Sequence, residues 1–256
     1  MSTFRIYNKE LNQSEVLQNY NVTKDRYDLE NDYETNLVRY YDPANYKSYI
    51  RSGTEYRNVK NIFNTTTLTA GNLYITGPVF YEAHGGVFYF DGVSDYFILN
   101  ESNQNLNGNG ITVGSNTNWT WSFWFKTTST GTMSLFTHYS GSPVTMNLGI
   151  VSGVVAYIHY YNTWINDYGT TRVDDGKWHQ VVFANSSDSY MTIYLDGRVE
   201  IPRYFAQLAS SFNNVIGGGY YGGFIGYLGI ITQHAVTLTA DQVLQNFNTQ
   251  KARYGY

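Results

Sequence analysis

Residues 119–127 read WTWSFWFKT, and this stretch decides the class of fold. Side chains alternate across a strand, so Trp119, Trp121, Phe123 and Phe125 fall on one face and Thr120, Ser122, Trp124 and Lys126 on the other. The first face is predicted to lie in a core. Five further stretches share this character: VFYFDG (87–92), DYFIL (95–99), VVAYIHYY (154–161), WHQVVFA (178–184) and MTIYLDG (191–197). From about Val79 onward such runs are divided by turns rich in Gly, Asn, Asp and Ser, which is the pattern of a β-sandwich. Asp196-Gly197 and Asp174-Asp175-Gly176 are hairpin or tight-turn signals, so the strands they join are expected to be antiparallel.

Composition agrees with this class. Of 256 residues, 18% are aromatic, with 26 Tyr and 14 Phe, and only 14% are charged. Aromatics suit pleated surfaces and contact faces. The formal net charge is −4 and there is no long basic run, so the electrostatic attraction expected of a nucleic-acid binder is missing. Cysteine is absent, which removes disulfides, thiolate metal sites and cysteine nucleophiles. The N-terminal MSTFRIYNKELNQ lacks the apolar core of a signal peptide, and no run of about 18 apolar residues suggests a membrane span. The expectation is a protein assembled in soluble form, with neither nucleic acid nor membrane as a partner.

Two organisational features stand out. Residues 211–229, SFNNVIGGGYYGGFIGYLG, carry seven glycines, but no Lys-Ser/Thr pair and no helical segment follows. The stretch is therefore expected to be a glycine-rich strand turning a corner, not a phosphate loop. The second feature is a repeat: VLQNYNVTKDRY (16–27) returns as VLQNFNTQKARY (243–254), with eight of twelve positions identical. Each copy follows a capping-box pattern, Asn12 to Glu15 and Thr239 to Gln242, so each is expected to start a short helix. Val16, Leu17 and Tyr20 then share a face, as do Val243, Leu244 and Phe247, and each face needs a surface to dock on.

The segments VRYYDPANYKSYIRSGT (38–54), GGVFYFDGVSDYFIL (85–99), WTWSFWFKTT (119–128), GKWHQVVFA (176–184), YLDGR (194–198) and ADQVLQNFNTQKARYG (240–255) resemble the laminin-G-like, concanavalin A-like jelly-roll domains. The likeness is in particular to the versions found in bacteriophage virion proteins. It divides the chain into an N-terminal extension (1–37) and one jelly-roll domain (38–256). What it implies is an all-β, two-sheet antiparallel jelly-roll sandwich with short terminal helices, in which the final strand and helix close the sandwich. It also implies a virion structural protein, capsid decoration or a tail or fibre component, assembled in the host cytoplasm. Its partners would be other virion proteins, copies of itself and a surface glycan. The alternative is a carbohydrate-binding adhesion module that recognises a host cell-surface glycan.

Candidate sites follow from residue chemistry and from the resemblance. The polar stretch YYNTWINDYG (160–169) reads as a loop in which Trp164, flanked by Tyr161, Asn162, Asn166, Asp167 and Tyr168, could stack on a sugar ring. The competing reading packs Trp164 beneath the loop or against a subunit. By the resemblance, Asp91, Asp95, Asp174 and Asp175 are the nearest matches to rim calcium ligands, although Asp and Gly at such places also make turns. No other cofactor is expected. Val16, Leu17 and Tyr20 are the assembly candidates. No enzyme is expected: there is no alternating carboxylate pair for glycan hydrolysis, no HExxH and no GxSxG, and His84, His138, His159, His179 and His234 are scattered.

Overall fold

A computed structural model describes residues 37–45, 55–56, 73–99, 118–139, 145–161, 163–188, 190–205, 213–219 and 222–256. Among them the strands pair into two sheets, antiparallel at every ladder. The first sheet runs β14 (Arg198–Phe205), β13 (Tyr190–Leu195), β12 (Trp178–Asn185), β7 (Trp119–Lys126), β16 (Ile225–His234), β5 (Val87–Asp91) and β4 (Val79–Tyr81). A further strand, β1 (Leu37–Tyr41), pairs with β16 beyond the end of β5. The second sheet runs β11 (Thr163–Arg172), β10 (Val154–Tyr161), β9 (Thr145–Val151), β8 (Met133–Tyr139), β15 (Asn213–Ile216), β6 (Tyr96–Leu99), β3 (Leu73–Thr76) and β2 (Glu55–Tyr56).

The alternation in 119–126 sets the core. Trp119, Trp121, Phe123 and Phe125 are fully buried between the sheets with Phe88, Phe90, Phe97, Phe136 and Phe183. Trp121 stacks on Phe123 at 5.8 Å and meets Phe136 from the opposite sheet at 5.1 Å. Each large side chain buried this way stabilises the fold by about 1.5–3 kcal/mol. At one side the sandwich is laced by Glu200 of β14, whose Oε1 accepts the amides of Thr170 (2.5 Å) and Thr171 (2.7 Å) of β11. Burial raises the Glu200 carboxyl, but these donors outweigh it and hold its pKa below the ordinary value.

The two turn signals have different roles. Asp196-Gly197 joins β13 to β14 as a hairpin. Asp174-Asp175-Gly176 carries the chain from β11 in one sheet to β12 in the other. The glycine-rich stretch also turns a corner between sheets, from β15 to β16. At Gly217 (φ +76°) a Cβ would lie 2.3 Å from the Phe90 ring, so neither the backbone angle nor the space admits a side chain.

The closing element forms as the capping pattern predicts. Helix α1 (Ala240–Gln250) is capped by Thr239, whose side chain accepts from the Gln242 amide, and the Gln242 side chain reaches back to Thr239. Val243 and Phe247 are buried against the first sheet, whereas Leu244 is 42% exposed, a correction to the three-residue docking face. A short 3-10 turn, Lys251–Tyr254, follows. The first copy of the repeat, including Val16, Leu17 and Tyr20, lies outside the described residues.

Candidate functional site

The outward face of the first sheet carries one row of side chains across five strands. By register, Val79 of β4 is opposite Tyr89 of β5, Tyr89 opposite Tyr227 of β16, Tyr227 opposite Lys126 of β7, and Lys126 opposite Trp178 of β12. Helix α1 and the C-terminal tail cover the Trp178 end of this row. There Trp124, Trp178, Val87 and Ile230 are buried with Phe247 and Tyr254.

The covered end is built around a bulge. The β16 to β7 register shifts between Leu228 and Ile231, and the Ile230 amide freed there donates to the Tyr254 hydroxyl at 2.8 Å. A Cβ at Gly229 would come within 2.2 Å of that hydroxyl, which explains the glycine. The Tyr254 ring stacks on Trp124 at 4.2 Å, and Phe247 stacks on it at 5.6 Å. Arg253 fastens the edge, donating to Asp42 Oδ1 (2.6 Å) and to the carbonyls of His84 (2.8 Å) and Gly86 (3.1 Å).

The open end is a tyrosine terrace. Tyr89 and Tyr227 lie 5.0 Å apart, and Tyr81 is 6.4 Å from Tyr89 and 5.9 Å from Tyr227. Tyr81 is 45% and Val79 53% exposed, while Tyr89, Tyr227 and Lys126 are half-buried. A ring face beside phenol hydroxyls and an ammonium offers an apolar platform with hydrogen-bonding groups at its margin. That combination matches a sugar, which has one apolar face and hydroxyls around its rim. The hint in the sequence was the alternation in VFYFD, which sets Tyr89 opposite to Phe88 and Phe90. That Tyr81 and Tyr227 join it depends on strand order.

The stretch 160–169 is not a loop. It is the end of the β10–β11 hairpin, with the backbone of Tyr160 paired to Trp164 and that of Tyr161 to Thr163. Hairpin pairing extends the strands through residues that have weak strand preference when judged singly. Asn166 and Tyr168 are exposed on one face, whereas Asp167 lies on the other, in register with the core residue Tyr157. Burial raises the pKa of the Asp167 carboxyl. These polar residues therefore do not share one surface. Asn162 and the side chains of Tyr161 and Trp164 lie outside the described residues.

The four rim aspartates serve turns and ion pairs. Asp91 Oδ1 accepts the Val93 amide (2.8 Å), and Asp95 Oδ2 accepts the Asp91 amide (2.8 Å). Asp174 pairs with Arg172. Asp175 Oδ1 accepts the Lys177 amide (2.8 Å) and lies 3.1 Å from His179 Nε2. Among the described residues no three His, Asp or Glu side chains form a group that could hold a metal.

His179 sits between two carboxylates, with Nδ1 2.8 Å from Asp196 Oδ2 and Nε2 facing Asp175. Burial lowers its pKa, but the hydrogen bonds and charges of Asp196 and Asp175 outweigh burial and leave it raised. For Asp175, burial raises the carboxyl pKa, but the Lys177 amide and the His179 and Lys177 side chains bring it down to about 2. The trio ties the β11–β12 crossover to the β13–β14 turn.

No family model matches the sequence, and no curated protein matches it. Solved structures share the architecture. Domain 4 of AbnA, an extracellular GH43 arabinanase from Geobacillus stearothermophilus solved with arabinotriose, superposes with a TM-score of 0.59 at 16% identity, covering 82% of this chain and 97% of that one. The receptor-binding domain of a botulinum neurotoxin C/D mosaic serotype gives 0.60 at 14% identity over 84% of this chain and 52% of its own. The binding domain of Paraclostridial Mosquitocidal Protein 1 gives 0.62 at 10% identity over 85% and 53%. The chain thus spans about half of each toxin binding domain. At these identities the likeness establishes the β-sandwich fold.

Proposed function

We propose that this chain is a non-catalytic adhesion module that holds a carbohydrate on the Tyr81, Tyr89 and Tyr227 terrace. The observation that carries this reading is the divided sheet face: aromatic side chains continue across it, and among the described residues the C-terminal segment seals the Trp124 and Trp178 end while Val79 and Tyr81 stay exposed. The similar fold of an arabinanase domain solved with arabinotriose, and of toxin receptor-binding domains, supports a binding role. The bacteriophage virion setting rests on the sequence resemblance alone and is proposed as the place where such adhesion would act.

A glycan array on the wild-type chain and on the double variant Tyr81→Ala, Tyr89→Ala tests the reading. The expected result is a glycan whose affinity falls at least tenfold in the variant, about 1.4 kcal/mol, with the melting curve little changed. A ligand retained at full affinity by that variant and lost by Trp164→Ala would move the site to the β10–β11 hairpin. Hydrolysis of the bound glycan by the wild-type chain would overturn the non-catalytic reading.

A further inference from the structure

We infer that residues 12–27 are a second closing segment, made to fill the socket of another sandwich of this architecture whose own socket is empty. The socket in this chain has a floor of Trp124, Trp178, Val87 and Ile230 and a wall formed by Asp42, His84 and Gly86. Phe247, Tyr254 and Arg253 engage it, while Val243 anchors the helix start in the adjoining cluster of Val182, Ala184, Tyr194 and Leu238, and Lys251 braces Phe247 from within the segment. Val243 is fully buried, Phe247 and Tyr254 stack on Trp124, Lys251 lies 5.4 Å from the Phe247 ring, and Arg253 grips Asp42 and two carbonyls.

Every one of these roles recurs at the same spacing in the first copy, as Val16, Tyr20, Lys24, Arg26 and Tyr27. The one anchor that differs exchanges one aromatic for another. Of the other differing positions, Thr249 and Ala252 are exposed in the closed sandwich, so Val22 and Asp25 would meet no socket wall. The Asn12 to Glu15 capping pattern precedes the anchors as Thr239 to Gln242 does the resident ones.

The remaining difference indicates which segment holds which socket. Gln250 Oε1 accepts from Trp124 Nε1 (2.6 Å) and from Gln180 Nε2 (3.2 Å), and the first copy has Thr23 there, too short to make both bonds. The resident segment also follows β16 directly, with only Ala235–Thr239 between, and such tethering raises its effective concentration. Residues 239–254 therefore win this chain's own socket. Residues 12–27 are left for a sandwich with a similar paired-indole floor, a carboxylate at the place of Asp42 and a glycine turn with free carbonyls. This partner is independent of the glycan reading.

The chain's own socket, emptied, serves as the test. In the full-length variant Tyr20→Asp, Arg26→Ala, Phe247→Asp, Tyr254→Ala the resident segment loses both stacking anchors, and the tethered first copy, which would otherwise compete with added peptide, loses its own. A synthetic peptide of residues 10–28 is expected to raise its Tm and change its tryptophan emission, and the same peptide carrying Tyr20→Asp and Arg26→Ala to do neither. Should that variant fail to fold, the milder full-length variant Tyr20→Asp, Arg26→Ala, Tyr254→Ala, refolded from urea with excess fluorescein-labelled 10–28 peptide, gives the second reading. Label retained in the folded fraction supports the inference. Absence of both the Tm rise in a folded variant and label capture in refolding would overturn it.

Discussion

The two ends of one sheet face carry the same kind of side chain and have opposite fates. At the closed end, Trp124 is fully buried between Phe247 and Tyr254, and its indole N–H reaches Gln250. At the open end, Tyr81, Tyr89 and Tyr227 make a cluster of similar spacing in which Tyr227 packs against the edge of the sealed cluster while Tyr81 stays exposed. Aromatic content alone therefore does not distinguish core from contact surface. The distinction is made by where the C-terminal segment lies and by the anchors that hold it there.

The comparison breaks most severely if the closed end is emptied. Trp124→Ala removes the ring on which the tail stacks and should cost about 3–5 kcal/mol, read as a large fall in urea midpoint. A loss below about 1 kcal/mol would mean that the tail contributes little to the fold. Gly229→Ala probes the same end more gently. Its new Cβ would press on the Tyr254 hydroxyl and ring edge, so a loss of about 1–3 kcal/mol is expected, and adding Tyr254→Phe should not restore it, because ring carbons remain within 2.9 Å and the Ile230 amide loses its acceptor.

At the open end the order of effects reverses. Tyr81→Ala should change stability by no more than about 0.5 kcal/mol, as for an ordinary surface position, while weakening glycan binding. A large loss of stability there would show that the terrace is structural.

The smallest expected effect concerns pH. The folded pKa of His179 is raised, so its contribution is present below its ordinary value and is lost as pH rises through the folded value. Asp175, depressed to about 2, contributes above its ordinary value and loses that contribution as pH falls toward 2. Melting curves of wild type should therefore show more stability near pH 6 than pH 8, and His179→Gln should flatten that difference. An unchanged slope in the variant would assign the effect to other groups.

Much of the sandwich was legible because its signals are local. The alternation in 119–126 places four aromatics in the core, and the Thr239–Gln242 box starts α1 where the pattern indicates. Strand β11 was missed because TWINDYGTTR contains Asn, Asp and Gly, and its extension comes from pairing with β10. The terrace was missed for a related reason. Tyr81, Tyr89 and Tyr227 come from strands up to 146 positions apart (81 to 227) and meet only through the β4-β5-β16 order.

The sequence by itself determined the strand alternation and the start of α1, because each depends on neighbours within a few residues, and it displayed the likeness of 16–27 to 243–254. Only the tertiary structure decided which outward aromatics are sealed and which remain open. It also gave Asp42 its place beside Arg253 and Gly229 its place beneath Tyr254, separations that no local pattern spans. Side-chain periodicity is a property of the backbone, whereas cover is a property of what the rest of the chain lays over it.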